Sequence, residues 1–235
     1  MTDKTIQVII NHFNRKTPQT FIAAHSIGEN VEYGVVWEDI DFNKLGDVSP
    51  YRFYFIKNGK GKCIGAVLDM NRDLHWYIDP IARKKGFLTN ALTQVILPHL
   101  ARIRKEQHIT INMDDIGEEN FEASLKTANK AGFTLVGEMA SKIECSQKLF
   151  KYRKVLLKES HPGISYEKMV KQREKMNVVI GNLWQIKSEV EMKLGESKLT
   201  REMDRYIEKL QLYRSLKLDD AVYDFEQQMK RKKPK

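Results

Sequence analysis

Apolar positions change their period along the chain, and each change marks an element. Ile6, Ile9, Ile10 and Phe13 fall at i, i+3, i+4 and i+7. Asp3 stands where it would cap them, so the spacing predicts a short N-terminal helix. The stretches "FIAAHSI", "VEYGVVWE", "YRFYFIK" and "KCIGAVLD" are short, β-branched or aromatic, and bounded by Gly, Asn, Asp or Pro. They read as successive strands. "KNGKGK", residues 57–62, carries the Asn-Gly of a hairpin between two of them, without the spacing of a P-loop. "LHWYID", residues 74–79, is the next strand. A helix with Leu88, Leu92, Val95, Ile96, Leu100 and Ile103 on one face follows, and Pro98 inside it should kink it or end it early. "HITINMD" alternates Ile109, Ile111 and Met113 against polar neighbours, as a strand does. "ENFEASLKTANKAGF" predicts a helix with Asn120 near the N-cap and Gly132 as its stop. Two further strands are expected near "TLVGEMAS" and "LFKYRKVLL".

The pattern shifts at "KESHPGIS", where Pro-Gly marks a boundary between residues 1–158 and 159–235. Beyond it Met169, Met176, Val179, Ile180, Leu183, Ile186, Val190 and Leu194 recur at helical spacing. "GES" at 195–197 interrupts them. A second helix carries Leu199, Met203, Ile207 and Leu210, and Asp219 would cap a short third holding Val222, Phe225 and Met229. This predicts a helical hairpin. Its stripe is too long to stay in water, so it should be buried within the protein or in a homodimer.

Composition narrows the setting. The chain has 235 residues, 41% hydrophobic and 30% charged, with mean hydropathy −0.52, enough for one sizeable core plus an appendage. No run approaches the roughly 20 apolar residues that cross a bilayer, and the start lacks the apolar core and cleavage site of a signal peptide. Cys63 lies in an apolar run and reads as a buried reduced thiol. A cytoplasmic protein with no membrane partner is the expectation. The net charge of +9 and pI near 9.3 suit an anionic ligand. The excess is spread along the chain, and only "KRKKPK" at the end is dense. That tail suits contact with a polyanion, RNA or DNA, but taken alone it reads first as a solvated tail. The six histidines show no HxxxH or HExxH spacing, so no metal site is predicted.

One stretch carries chemistry. In "IDPIARKKGFLTNAL", residues 78–92, a strand stops at a cationic glycine turn and restarts as a helix. The first N–H groups of that helix have no internal partners and lie at the positive end of its dipole. Gly86 allows close backbone approach, and Arg83, Lys84 and Lys85 add charge, which suits a pyrophosphate. An ordinary strand-to-helix turn with solvated cations also fits.

Ile78, Pro80, Arg83 and Gly86 resemble the acyl-coenzyme A binding motif of the GNAT superfamily of N-acetyltransferases. That motif runs hydrophobic-x-Pro, then Arg/Gln-x-x-Gly-x-Gly/Ala. Leu88 departs from the last position. "GFLTNAL" is nevertheless similar to the Gly-aromatic-Met-Thr-Glu-Ala-Leu variant of the subgroup that acetylates ribosomal-protein N-termini and of its small-molecule relatives. Downstream, Asn120, Ser124, Gly132 and Phe133 resemble the superfamily's next motif.

The resemblance implies an α+β fold with a GNAT-like, mixed, mostly antiparallel sheet flanked by helices. Its fourth and fifth strands, here 74–79 and 109–114, splay to admit the pantetheine arm of acetyl-CoA, the acyl donor. Ile78, Arg83, Lys84, Lys85, Gly86, Phe87 and Leu88 would bind that cofactor. Asn120 would contact pantetheine or simply cap its helix. The superfamily's tyrosine acid falls at Ala128 and is missing. Ser124 is either the substitute proton donor to the thiolate or a cofactor contact. His75, Asp114 and Glu144 are the candidate bases, with Asp79 on the same strand face as His75. "EDIDFNKLGDVSP" is too short for the two helices that usually wall the acceptor site, so acceptor contacts do not carry over.

The implied activity is acetyl transfer to an amine on a protein N-terminus, a lysine or a small molecule. The competing reading is a protein of the same fold that binds DNA or RNA without the chemistry, or directs it there, such as a phage component. Leu88, the missing tyrosine and the basic tail favour that reading.

Overall fold

The structure, a computed structural model, describes residues 1–15, 21–37 and 50–232. All of "EDIDFNKLGDVSP" except Pro50, and the last three residues of "KRKKPK", lie outside the described residues. Two units are present, Met1–His161 and Pro162–Lys235.

The first unit begins with α1 (Asp3–Arg15), whose Ile6, Ile9 and Ile10 are buried, as their spacing requires. Thr2, not Asp3, stands at its start: the Thr2 carbonyl accepts from Ile6 N–H at 3.1 Å, and Thr2 Oγ1 accepts from Thr5 N–H at 3.4 Å. Asp3 sits in the first turn, where a negative charge suits the helix dipole.

Five strands follow as an antiparallel meander: β1 (Phe21–Gly28), β2 (Val31–Trp37), β3 (Tyr51–Lys57), β4 (Cys63–Met70) and β5 (Asp73–Ile78). The expected hairpin joins β3 to β4. Asn58 Oδ1 accepts from the N–H groups of Lys60 and Lys62, each at 3.0 Å, and Gly61 takes a φ of 77° that closes the turn. Alternation gives the sheet two apolar faces. Phe53, Phe55, Ala66, Leu68 and Tyr77 meet α1 on one side. Tyr54, Ile56, Val67, Leu74 and Ile78 meet the next helix on the other.

That helix is α2 (Phe87–Ala91), a π-helical turn (Leu92–Ile96) and α3 (Leu97–Leu100) in one run. Pro98 has no N–H to return to the preceding turn, and the backbone widens just before it, with Leu97 N–H bonding to the Leu92 carbonyl. The helix ends at Leu100. Ile103, expected on its buried face, is therefore outside it and 65% exposed.

β6 (Glu106–Asn112), α4 (Met113–Ile116), α5 (Glu118–Ala131), β7 (Thr134–Met139) and β8 (Lys142–Lys148) complete the layer, with a second sheet in the order β6-β8-β7. Three expectations need correction here. β6 stops at Asn112, whose Oδ1 accepts from Asp114 N–H at 3.2 Å and starts α4. α5 starts at Gly117, with φ 75°, so Asn120 lies inside its first turn and is not the N-cap. The last strand is "KIECSQK", not "LFKYRKVLL". It is central in its sheet and buries Cys145, Ser146 and Gln147, whereas residues 150–152 form a 3-10 turn. Gly132 ends α5 with φ 88°, as expected. The fold is α+β, mostly antiparallel and flanked by helices, and it divides into two sheets between β5 and β6.

A polar cluster joins the two sheets at one end only. Arg104 Nη2 pairs with Asp69 Oδ2 at 2.7 Å, and Arg104 Nη1 donates to Gln107 Oε1 at 2.7 Å. Gln107 Nε2 donates to the Arg72 carbonyl at 2.7 Å, and His108 N–H to the same carbonyl at 3.2 Å. Thr110 N–H reaches Asp73 Oδ1 at 3.0 Å. The side chains of Asp69 and Arg104 are 2% and 15% exposed. Arg104→Leu should strand a buried carboxylate and cost about 2 kcal/mol, below the ~3–5 kcal/mol of a fully enclosed pair because Arg104 keeps some solvent. Urea denaturation measures this. A loss under about 0.5 kcal/mol, typical of an exposed pair, would mean that water reaches Asp69.

The second unit contains α6 (Tyr166–Leu194), α7 (Lys198–Leu212), a π-helical turn (Tyr213–Lys217) and α8 (Leu218–Lys232). Ser165 caps α6, and Ser197 with Thr200 forms a capping box on α7. Lys187 pairs with Asp204 at 3.3 Å, Asn177 with Arg214 at 2.6 Å, and Arg173 with Asp219. One helix is climbed as the other is descended, so they run antiparallel. The chain passes from α7 to α8 without a break, so Asp219 caps no third helix and instead holds Arg173. Met169, Ile180 and Ile207 are buried. Val179, Ile186 and Leu194 are half exposed or more, because one neighbouring helix covers only a narrow seam of the expected stripe. Among the described residues no helix is long and apolar enough to cross a membrane.

Candidate active site

The site starts from the open edge of β5. Asp79 N–H donates to the Ile64 carbonyl of β4 at 2.9 Å. Alternation along an antiparallel strand then puts the N–H groups of Trp76 and Ile78 on the opposite edge. The Ile78 carbonyl, on that same edge, accepts from Arg83 Nε at 3.0 Å. β6 is joined to β5 only near Arg72 and Asp73, and past that point the strands part. The gap is a cleft of about 760 Å³, walled by β5, β6, α2 and α5.

The loop at its mouth is fixed by its own side chains. Arg83 Nη1 donates to Asn120 Oδ1 at 2.8 Å, and Asn120 Nδ2 donates to the Ile116 carbonyl at 2.9 Å. This ties the loop to α5. Lys84 takes a φ of 60° and lies 3.6 Å from Glu119, with both side chains more than 80% exposed, a pair worth little. Lys85 is exposed and does not line the cleft. Gly86 takes a φ of 79°, yet the nearest atom to a Cβ there would be Asn90 Nδ2 at 3.8 Å. Its requirement is dihedral, not steric. Phe87 and Leu88 are half-buried against the core, and the first N–H groups of the helix stay free of carbonyl partners within it.

The candidate catalytic residues separate. Ser124, half-buried on α5, accepts from Trp76 Nε1–H at 3.4 Å. Indole N–H only donates, so the serine proton remains available to another acceptor. His75 Nε2 lies 2.8 Å from Asp3 Oδ1. Trp76 packs toward α2 and α5, and the adjacent His75 faces α1, so Ser124 and His75 flank β5 from opposite sides. Both line the cleft. Asp114 and Glu144 do not: Asp114 is held by Ser141 Oγ, and Glu144 pairs with Lys142 at 3.2 Å on β8. Among the carboxylates on the wall is that of Asp115, beside Asn112, whose Nδ2 donates to it at 2.8 Å. Ala128 is wholly buried in the core.

Sequence reasoning missed Asp3 as the partner of His75, and Trp76 as the partner of Ser124. Tyr77 also lines the cleft. Burial raises its phenol pKa, and the neighbouring Asp79 carboxylate raises it further, so it stays protonated at neutral pH. Burial pushes the Cys63 thiol up to about 12 and also raises that of Cys145, which disfavours the thiolate at both.

No protein-family model matches the chain, and no curated protein matches it. Among solved structures, a GNAT superfamily phosphinothricin acetyltransferase from Sinorhizobium meliloti, in complex with acetyl-CoA, matches with a TM-score of 0.33 and 16% identity over 42% of this chain. A second structure, provisionally assigned as a phosphinothricin N-acetyltransferase, matches with a TM-score of 0.30 and 19% identity, again over 42% of this chain. The chain spans 60% of the first protein and 68% of the second. Likeness at this level decides no activity, and neither match belongs to the ribosomal-protein subgroup by its description.

Proposed function

We propose that the chain binds acetyl-CoA between β5 and β6 and transfers its acetyl group to an amine. The observation that carries this is the one-ended separation of the two strands. It leaves the N–H groups of Trp76 and Ile78 unpaired along a cleft that ends at the Gly86 turn. An extended pantetheine arm satisfies that edge as an added strand does, and the pyrophosphate meets the first turn of α2 beside Arg83 and Lys84. The residues present fit such a donor.

The amine nitrogen attacks the thioester carbonyl carbon, and the Trp76 N–H, deeper in the cleft, steadies the oxyanion while the Ile78 N–H bonds the pantetheine arm. The carbon–sulfur bond then breaks, and Ser124 donates its proton to the departing thiolate while taking one from solvent in its place. His75 takes the proton lost by the amine. With Asp3 accepting from Nε2–H, the neutral ring keeps its lone pair on Nδ1. The acceptor is an amine on a protein N-terminus, a lysine or a small molecule, and the likeness of "GFLTNAL" to the shared variant is compatible with each.

Labelled acetyl-CoA incubated with the full chain tests this reading. The acceptors are peptides with free α-amines, peptides with only lysine amines, and polyamines. Label should move to an amine as free coenzyme A appears. Absence of both products across the panel would remove the enzyme reading.

A further inference from the structure

Far from the cleft, the edge of β1 is covered by the end of the first unit. Ser160 N–H donates to the Ser26 carbonyl at 2.9 Å, and the two residues form an isolated antiparallel bridge. Its register sets His161 opposite His25 and Glu159 opposite Ile27. Residues two apart on a strand share a face, so His25, Glu159 and His161 converge on one side. The imidazole rings lie 4.4 Å apart between centroids, tilted by 31°. One ligand atom from each of the three residues lies within 4.8 Å of the others.

We propose that His25, Glu159 and His161 bind a divalent transition metal, zinc foremost, clasping the 158–161 segment onto β1. Two imidazole nitrogens and one carboxylate oxygen are a donor set that zinc takes readily, with bonds of about 2.0–2.2 Å and a fourth position left to water. Ligand atoms around such an ion lie roughly 3.3 Å apart, so the group closes with small side-chain rotations. Arg102 Nη1 holds Glu159 through Oε1. That orients the carboxylate, as outer partners do at metal sites, and leaves Oε2 for the ion. His25 is half-buried, while Glu159 and His161 face solvent, so an ion has a path in. The residues come from opposite ends of the unit, and no local spacing announces them.

The test titrates zinc chloride into the chelator-treated full-length chain by calorimetry. One equivalent should bind, and His25→Ala and His161→Ala should each weaken it by at least about tenfold. His108→Ala, away from the cluster, should leave it unchanged. In the wild type, zinc should also slow hydrogen exchange at the Ser160 amide, which a scattered surface histidine would not do. Absence of the one-equivalent event, or affinity and Ser160 exchange unaltered by both histidine substitutions, would overturn the proposal.

Discussion

Acetyl-CoA at a hundredfold excess over its Kd should raise the melting temperature by about 5–10 °C, and Gly86→Val should erase that rise. A ligand at this excess stabilises the folded state by about 2.7 kcal/mol. For a chain of this size each kcal/mol shifts melting by roughly 2–4 °C. Gly86 holds a φ of 79°, which a β-branched residue avoids at a cost of about 1–2 kcal/mol. Valine therefore re-aims the turn and with it the first N–H groups of α2. Steric clash is not the reason, since the space around a Cβ there is open, so the fold itself should survive. Scanning fluorimetry of both proteins, with and without the ligand, gives the result. An unshifted wild type would end the acyl-donor reading, and an equal shift in Gly86→Val would place the pyrophosphate elsewhere.

Ser124→Ala should lower kcat by about 10²-fold while affinity for acetyl-CoA stays near the wild-type value. In the proposed step the hydroxyl acts only as the carbon–sulfur bond breaks, so its loss should fall on the transition state rather than on binding. The substitution also removes the acceptor of Trp76 Nε1–H, costing about 1 kcal/mol of stability, which a separate unfolding measurement accounts for. Full turnover in the variant would reduce Ser124 to a partner of Trp76, and water would be the proton donor.

Much of the scaffold was readable because its signals are local. β1 to β5 alternate between two covered faces, and the Asn-Gly hairpin, Pro98 and Gly132 act through their own backbones. β8 was hidden because "KIECSQK" has too few apolar residues to look like a strand. Its place comes from two flanking strands that supply hydrogen bonds on both edges. The turn at 78–92 was legible because a strand, a proline and a positive-φ glycine lie close together in sequence. The choice among candidate bases was not. His75 offers no local sign that Asp3, on a different element, lies within hydrogen-bond reach, and Asp114 and Glu144 looked equally suitable until they proved to lie off the cleft wall, beside Ser141 and Lys142. Asn120 was misplaced for a similar reason: Gly117 starts the helix earlier, which frees the asparagine to hold Arg83.

The separation of β5 from β6 also bears on how the chain folds. Every neighbouring pair in the first sheet is adjacent in sequence, so its loops close cheaply and its hairpins form early. β6 must wait for the α2 crossover, and its ladder partner β8 arrives only after α5 and β7. The cleft should therefore be completed after the first sheet, with Arg104 meeting Asp69 as the contact that joins the two sheets. Pulse-labelled exchange during refolding should protect amides of β3 and β4 before those of β6 and β8, and protection in the reverse order would contradict this sequence of events. On this order a refolding chain should gain the proposed ligand site only after the first sheet has formed, so ligand affinity during refolding should report completion of the fold rather than its beginning.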